Sequence, residues 1–258
     1  MTTRPKSAHK ITVHWSPTEP ATETESVHLW LCDLDDRRWV VGELGLSATE
    51  HARAARLRTS ELRRRFLARR VFLRRVLSGL LGLTAGEVDY RVGPFGKPEL
   101  AYDIGSGLEH RPLPRFNLSH SEKILAVAVA FHREIGVDVE LVKTDLDFLA
   151  LGEGQLALEE IDQLRSLPEE ERPLAFYRSW TRHEALAKAT GCGIASSGLS
   201  GERTAVRGCD DPQSAAEYSF ECSLGDSFAV GSLALCPPRK QPVRLGMATV
   251  GRGKTFRW

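Results

Sequence analysis

The sequence predicts a mixed α+β protein made of two compact halves, and three observations lead to this fold class. The chain has 258 residues, which exceeds the usual size of one small domain. Apolar residues recur at helical spacing in 47–81, whereas Val27–Asp33 and Ile124–Phe131 are short apolar runs typical of strands. Each half therefore offers strands and one long helix.

The first half is expected to cover residues 27–112, after a loosely ordered N-terminal arm (1–26) that is rich in Thr, Pro and charge. Ser47 can cap a helix that carries Glu50 at its third position, and the helical pattern then continues with a break near 59–60. The helical stretch contains ten arginines but only two glutamates. It forms a local basic patch on a chain that is otherwise close to neutral.

The second half is expected to cover residues 113–236, because prolines and charges near 112–114 mark a boundary, and a basic, weakly ordered tail (237–258) follows it. The strands Ile124–Phe131 and 135–140 are predicted to pair as a hairpin joined by a short turn. Two helices and a closing strand pair are predicted at 156–167, 174–190, 220–224 and 229–235.

Charge and composition exclude several classes of protein. Thirty-five basic and 34 acidic residues give a formal net charge of +1, which removes any global electrostatic argument for nucleic acid or an anionic membrane as the partner. The longest apolar run is too short to cross a bilayer, and the N-terminal residues lack the apolar block of a secretory signal, so a cytoplasmic protein is expected. The five cysteines contain no C-x-x-C pair and predict reduced thiols rather than a zinc site.

Asp138 and Glu140 are the first candidate site residues. They alternate with apolar residues in the segment G-V-D-V-E, so a strand places both carboxylates on one face. Neighbouring carboxylates repel each other, and a bound cation is one way to keep both ionised. Hard oxygen ligands suit Mg²⁺ or Mn²⁺. A solvated strand edge is the alternative interpretation of the same pair.

Two further motifs are ambiguous when each is taken alone. In W-x-x-H-E-A-x-x-K, Trp180, Glu184 and Lys188 lie on one helix face, yet a Glu–Lys pair at this spacing is also a common stabilising pair that contributes about 0.2–0.5 kcal/mol. The segment F-N-L-S-H-S is predicted as a polar corner before a strand, where Ser119 and His120 could bind phosphate or cap a turn. The absence of a G-x-S-x-G motif argues against a hydrolase elbow.

Taken together and in this order, the motifs resemble those of the Sfp-type 4'-phosphopantetheinyl transferases. The resemblance rests on the arginine-rich helix, a G-K-P loop at 96–98, F-N-L-S-H-S, G-V-D-V-E and W-x-x-H-E-A-x-x-K, and it runs from Leu29 to Leu235. It implies two similar α/β subdomains related by a pseudo-twofold axis, with the active site in the cleft between them. It also implies transfer of the 4'-phosphopantetheine arm of coenzyme A to a serine of an apo acyl or peptidyl carrier protein, with release of adenosine 3',5'-bisphosphate.

The resemblance implies roles for the acidic and basic residues of the last two motifs. Asp138, Glu140 and Glu184 would hold Mg²⁺ against the coenzyme A pyrophosphate, so Asp138 also counts among the residues that bind the co-substrate. Glu184 would take the proton from the incoming serine. Lys188, one helical turn later, would lie beside the pyrophosphate and stabilise the leaving group.

Binding of the adenosine and its 3'-phosphate is implied for a second set of residues. Lys97 and Pro98 of the G-K-P loop match family positions that grip this part of coenzyme A, as do Ser119 and His120. Arg53 aligns with a basic residue that reaches the same phosphate. The implied site therefore draws on both halves of the chain.

The sequence departs from the family motif at one catalytic candidate. His183 stands immediately before Glu184, where the motif usually has lysine. Because histidine changes charge close to neutral pH whereas lysine stays charged, we expect activity to fall faster with rising pH than in a His183→Lys variant.

The implied partners are an apo carrier protein and coenzyme A, with neither membrane nor nucleic acid. The length favours a monomer that serves polyketide or nonribosomal-peptide synthesis in secondary metabolism. Phe148, Leu149 and Leu156 are candidates for carrier docking, although core packing explains them equally well. A catalytically weak carrier-binding homologue is one alternative. An arginine-rich nucleic-acid-binding module is another, but it leaves the carboxylates unexplained and lacks stacking aromatic residues.

Overall fold

The computed structural model describes residues 11–14, 27–36, 39, 45–93, 96–101, 113–131, 133–191, 215–236 and 254–257. The strands are β1 (Ile11–His14), β2 (Val27–Asp33), β3 (Tyr90–Val92), β4 (Pro98–Leu100), β5 (Pro114–Ser121), β6 (Ile124–Phe131), β7 (Glu134–Leu141), β8 (Ala216–Leu224), β9 (Ser227–Cys236) and β10 (Lys254–Arg257). The helices are α1 (Ala48–Ala55), α2 (Ser60–Leu81), α3 (Phe148–Gly152), α4 (Leu158–Ser166) and α5 (Arg172–Thr190). None of these helices combines the length and apolar composition needed to cross a membrane.

The long helices and the two large sheets stack in four layers. One sheet has the strand order β1-β2-β6-β5, and the other has the order β10-β8-β9-β7. The two sheets pack face to face through a core of fully buried aliphatic residues. Helix α2 covers the outer face of the first sheet, and α5 covers the outer face of the second. The mixture of helices and strands agrees with the predicted α+β class.

Strand β6 shows why the sheets meet where they do. Its sequence I-L-A-V-A-V-A-F is apolar on both faces, so it can be buried on both sides. Leu125, Val127 and Val129 pack against α2, whereas the intervening alanines face the second sheet. Burial of each such leucine or valine contributes roughly 1.5–3 kcal/mol relative to exposure.

The predicted hairpin of β6 and β7 is wrong. Strand β6 pairs with β2 and β5, and β7 pairs with β9, so the two strands belong to different sheets. Strand β6 ends at Phe131 in the first sheet, and β7 begins at Glu134 in the second. The boundary expected near 112–114 stays a prediction. Strand β5, on the far side of the expected boundary, pairs with β6 in the same sheet as β2. An apolar β6 can satisfy either arrangement, and its sequence does not distinguish them.

Other local predictions have mixed outcomes. Ser47 and Glu50 form the predicted capping box at the start of α1, and α2 begins at Ser60 after the predicted break. The F-N-L-S-H-S segment is not a corner but the greater part of β5, in which Asn117, Ser119 and Ser121 occupy alternate positions on one face. Strands β1 and β10 lie within the N-terminal arm and the C-terminal tail, where no regular element was expected.

Gly136 brings α5 unusually close to β7. A Cβ atom at this position would lie 1.9 Å from the Ala185 carbonyl oxygen and 2.4 Å from the Ala189 backbone nitrogen. Only glycine therefore permits this approach of helix backbone to strand backbone. The approach places the acidic and basic residues of α5 directly over the carboxylates of β7.

Candidate active site

The candidate site lies where β5 and β7, from different sheets, run side by side. Side chains connect the two strands here, since no described backbone ladder joins them. The Asn117 side-chain oxygen accepts a hydrogen bond from the Val137 backbone N–H at 3.1 Å. This bond satisfies a buried donor on the open side of β7 and fixes the register of the two strands.

That register aligns serines of β5 with carboxylates of β7. Ser119 Oγ donates a hydrogen bond to Asp138 Oδ1 at 2.7 Å. Two residues further along both strands, Ser121 Oγ donates to Glu140 Oε2 at 2.6 Å. The predicted alternation of Asp138 and Glu140 is therefore confirmed, but they face a protein interior rather than a solvated strand edge.

Helix α5 adds an acid and a base to this row. Lys188 Nζ donates to Asp138 Oδ1 at 2.5 Å and to Ser119 Oγ at 3.1 Å. Glu184, one turn earlier, is only 6% exposed. Because Lys188 forms its ion pair with Asp138 and not with Glu184, an ordinary helix-stabilising pair does not account for the motif.

Asp138, Glu140 and Glu184 form a cluster here called the carboxylate pocket, and its electrostatics favour proton uptake by Glu184 and Glu140. Burial raises the pKa of Glu184 to about 7, and the charges of Asp138 and Glu140 add to the rise while Lys188 opposes it. Burial also raises the pKa of Glu140, against the hydrogen bond from Ser121. A carboxyl group that titrates near neutral pH is suited to accept and release protons during catalysis.

The carboxylate pocket has the type of ligand atom that a hard divalent cation prefers, but its side chains are not arranged around a single metal position. Asp138 Oδ2 is buried without a hydrogen-bond partner, which leaves one carboxylate oxygen available to a ligand. The donors are all carboxylate oxygens, as Mg²⁺ prefers. Within the described part of the chain, however, no three acidic, histidine or cysteine side chains lie close enough together to hold a metal ion as they stand. Binding would require side-chain movement within the pocket.

A group of cations adjoins the carboxylate pocket. Arg53, Arg69 and Arg70, here called the arginine cluster, place their guanidinium groups 5.8, 5.6 and 5.2 Å from the ring centre of Phe66. Burial and the charges of its two neighbours lower the pKa of Arg69 to about 10, and its Nε is buried without a hydrogen-bond partner. None of the three arginines has an acidic partner among the described residues. Three cations held together without an anion form a ready site for a phosphate group.

His120 joins the arginine cluster to the carboxylate pocket. Its Nε2 contacts Arg69 Nη1. Partial burial, together with the charges of Arg69, Lys188 and Arg70, lowers the pKa of His120 to about 4, although the ring remains partly open to solvent. The imidazole is therefore neutral at physiological pH and can approach the cations without adding to their repulsion.

Comparison with known proteins identifies the family. The model of the 4'-phosphopantetheinyl transferase superfamily matches residues 134–228. The chain is 40% identical over 186 residues to the 4'-phosphopantetheinyl transferase HetI of Nostoc sp., a match that covers 70% of this chain and 76% of HetI. The chain belongs to the 4'-phosphopantetheinyl transferase superfamily. This transferase is also 31% identical over 173 residues to AcpT of Salmonella typhimurium (67% and 76% of the two chains) and 32% identical over 157 residues to psf-1 of Bacillus pumilus (60% and 61%).

The predicted family and the predicted transferase activity are thus confirmed, and coenzyme A is the co-substrate that phosphopantetheinyl transferases use. The roles of individual residues remain proposals, and the structure shows where each one lies. Asp138, Glu140, Glu184 and Lys188 lie close together, and Ser119 forms hydrogen bonds with Asp138 and Lys188.

The G-K-P loop of the transferase is held by its own contacts. Lys97 Nζ forms a 2.8 Å ion pair with Glu134 and a 3.0 Å hydrogen bond to the Ala189 carbonyl oxygen, and its side chain is 12% exposed. Pro98 opens β4 directly after it. Lys97 therefore links the loop to β7 and the end of α5, and it would contact a phosphate only after release from Glu134.

His183 faces α4. Its Nε2 lies 3.1 Å from Glu160 Oε2. The neighbouring Arg182 donates to the other oxygen of Glu160 at 2.6 Å. Partial burial would raise the pKa of Glu160. His183, the Ala157 backbone and Arg182 outweigh this effect and lower the pKa to about 2. In the phosphopantetheinyl transferase, His183 thus contacts the α4 carboxylate, whereas Glu184 lies over β7.

Sequence reasoning missed several contributors. Arg69 was one of many arginines in a basic stretch, and nothing in its local sequence distinguished it from its neighbours. Asn117 and Ser121 could have been found from the period-two alternation in F-N-L-S-H-S. Of the three docking candidates, Phe148 and Leu156 are 5% and 2% exposed and pack within the apolar core beside α5, which favours the packing alternative for both.

Proposed function

We propose that this enzyme transfers the 4'-phosphopantetheine arm of coenzyme A to a serine of an apo acyl or peptidyl carrier protein, with Mg²⁺ (or Mn²⁺) as the metal and adenosine 3',5'-bisphosphate as the second product. The observation that carries the proposal is the adjacency of two groups of side chains of opposite charge. The carboxylate pocket adjoins the arginine cluster through His120 and Lys188. A nucleotide with a pyrophosphate and a separate 3'-phosphate suits this arrangement. The cation-bound pyrophosphate would lie at the carboxylates, and the 3'-phosphate would lie at the arginine cluster.

The chemistry is a phosphoryl transfer between two oxygens. The serine oxygen forms a bond to the phosphorus that bears the pantetheine arm, and the bond from that phosphorus to the pyrophosphate bridging oxygen breaks. Glu184 is proposed to accept the serine proton, since it is a carboxylate beside the proposed pyrophosphate position and can act as a general base there. Lys188 stabilises the negative charge that develops on the leaving oxygen. A divalent cation held by Asp138, Glu140 and Glu184 would supply further neutralisation of the pyrophosphate.

The arginine cluster is proposed to bind the 3'-phosphate. Arg53 and His120 were implied for this role by the resemblance. The partly buried Arg69, whose Nε has no hydrogen-bond partner, and its neighbour Arg70 support it. A phosphate would relieve the mutual repulsion of the cations and accept the hydrogen bond that Arg69 Nε does not now make. Around the same nucleotide, Lys97, Pro98 and Ser119 are proposed to contact the adenosine part.

The finer features of the assignment are proposed on the same basis. The two sheets, each with its long helix, would be related by a pseudo-twofold axis, and the row of β5 and β7 residues would lie in the cleft between the halves. The enzyme is proposed to act as a cytoplasmic monomer on carriers of polyketide or nonribosomal-peptide synthesis. His183 is proposed to support catalysis through its neighbour Glu184 rather than by contact with the phosphates.

The reaction is tested by incubating apo carrier proteins with coenzyme A and Mg²⁺ and measuring the carrier mass by mass spectrometry. We expect the mass to rise by one phosphopantetheine group, and only with a divalent cation present. Glu184→Gln should abolish the increase, whereas Glu170→Gln, at an exposed glutamate in the 3₁₀ turn before α5, should not. Carrier binding without any mass increase would favour the catalytically weak homologue. Transfer by the Glu184→Gln variant would remove Glu184 from the mechanism.

A further inference from the structure

Tyr90 lies at the centre of a polar network that neither the family motifs nor the proposed reaction uses. Its hydroxyl donates a hydrogen bond to Glu50 Oε1 at 2.6 Å and accepts one from Arg70 Nη1 at 3.1 Å. Burial raises the pKa of Tyr90 to about 12, so the hydroxyl keeps its proton. One side chain of β3 thus connects α1 to an arginine of the arginine cluster.

The acceptor of this network is firmly held. Glu50 Oε2 accepts hydrogen bonds from the Ser47 backbone N–H at 2.8 Å and from Arg74 Nε at 3.1 Å. Arg74 also donates to two backbone carbonyl oxygens, at 3.0 and 2.6 Å. Because Glu50 has few other orientations open to it, the Tyr90 hydroxyl that it binds is fixed in turn. The orientation of Arg70 therefore depends on the cap of α1.

The remaining contacts of Arg70 are less directional. Its guanidinium lies 5.2 Å from the Phe66 ring centre and 5.8 Å from the ring centre of Tyr90 itself. Such contacts attract a cation to a ring face but allow it to rotate there. Without the hydroxyl, the forked donors of Arg70 would no longer be held in one direction.

We infer that Tyr90 is a positioning residue that orients Arg70 towards the 3'-phosphate and so sets the preference of the enzyme for coenzyme A over 3'-dephospho-coenzyme A. The inference rests on the proposed function, since it requires the arginine cluster to bind that phosphate. Tyr90 touches Arg70 and not the reacting atoms. Its effect should be confined to ligands that carry the 3'-phosphate.

The test compares the affinities of both ligands, measured by titration calorimetry, for the full-length wild type and for Tyr90→Phe. Loss of one hydrogen bond to a charged group should weaken coenzyme A binding about tenfold while changing 3'-dephospho-coenzyme A binding less than about twofold. Tyr218→Phe, on β8 of the sheet that α5 covers, is the matched control and should change neither affinity. If Tyr90 has a purely structural role, Tyr90→Phe should weaken the binding of both ligands equally, and this result would overturn the inference.

A double-mutant cycle with Arg70→Ala provides a second measurement. In the Arg70→Ala background, Tyr90→Phe should have no further effect on coenzyme A binding, and additive losses would contradict a role through Arg70. If Tyr90→Phe does not fold, Glu50→Gln should produce the same selective loss by weakening the bond that holds the hydroxyl, and an equal loss for both ligands would again overturn the inference.

The failures of the inference and of the proposed function differ. No binding of either ligand to the wild type would refute the proposed function. Equal affinity of the wild type for the two ligands would refute the 3'-phosphate site, and the inference with it. A wild-type preference that Tyr90→Phe retains would refute the inference alone.

Discussion

Replacement of Glu184 by glutamine should stabilise the metal-free enzyme at pH 8, although it should abolish transfer. In the folded state, burial raises the pKa of Glu184 from 4.5 to about 7. Between these values the folded protein keeps a proton that the unfolded chain has released. The free energy of unfolding therefore decreases as the pH rises through this window, and the loss is complete above the folded pKa. Glutamine has no proton to lose and avoids this cost.

The magnitude follows from the pKa difference. A rise from 4.5 to about 7 corresponds to about 3 kcal/mol at full burial, because one pKa unit is worth ~1.36 kcal/mol. Some solvent still reaches the carboxyl group, and a discount for this screening leaves roughly 1.5 kcal/mol. The free energy of unfolding of Glu184→Gln should therefore exceed that of the wild type by this amount at pH 8 and by much less at pH 5.

Urea unfolding in the presence of a chelator measures this difference at both pH values. The difference between the unfolding free energies of variant and wild type removes the contribution of other titrating groups. Glu170→Gln serves as the exposed control. Addition of Mg²⁺ at pH 8 should then stabilise the wild type more than Glu184→Gln. Unfolding free energies of wild type and variant that change in parallel with pH would refute the reasoning.

Three further predictions use the same structure. Gly136→Ala should lower the free energy of unfolding in urea by more than about 3 kcal/mol, because the helix backbone leaves no room for a Cβ. Gly154→Ala, at a glycine with open space around it, should change it by less than ~0.5 kcal/mol. Similar losses for both variants would contradict the close approach. Arg74→Ala breaks a buried ion pair and should cost ~3–5 kcal/mol, against less than ~0.5 kcal/mol for the exposed Arg165→Ala; equal costs would show that the buried pair is not needed. Transfer by the wild type should fall faster with rising pH than that of His183→Lys, and parallel pH–rate profiles would argue against the prediction.

The fold was predictable from the sequence where one local pattern determined the structure. The capping box of Ser47 and Glu50, the αL glycine at Gly191 after α5 and the closing strand pair are examples of such patterns. Strand β6 was recognised as a strand, but its two apolar faces fit either of two sheets. Strand β5 was missed because its polar face contacts a polar row of β7 instead of water.

The candidate site divides in the same way. Asp138 and Glu140 could be paired from their spacing alone, because strand geometry puts them on one face. Arg69 and His120 are 51 positions apart, and Tyr90 and Glu50 are 40 apart, so their contacts arise only when α1, α2, β3 and β5 pack together. The sequence shows which residue types are present but not which distant pairs meet.

The hydrogen bond between Asn117 and the Val137 backbone has a consequence for how this enzyme can evolve or be engineered. Where β5 meets β7, the same short row of β5 side chains (Asn117, Ser119 and Ser121) joins the two sheets and positions the candidate catalytic carboxylates. A substitution in this row that is chosen to retune the chemistry would therefore also loosen the join between the two sheets. Engineering of the chemistry should therefore leave Asn117 in place, so that this join between the sheets is kept.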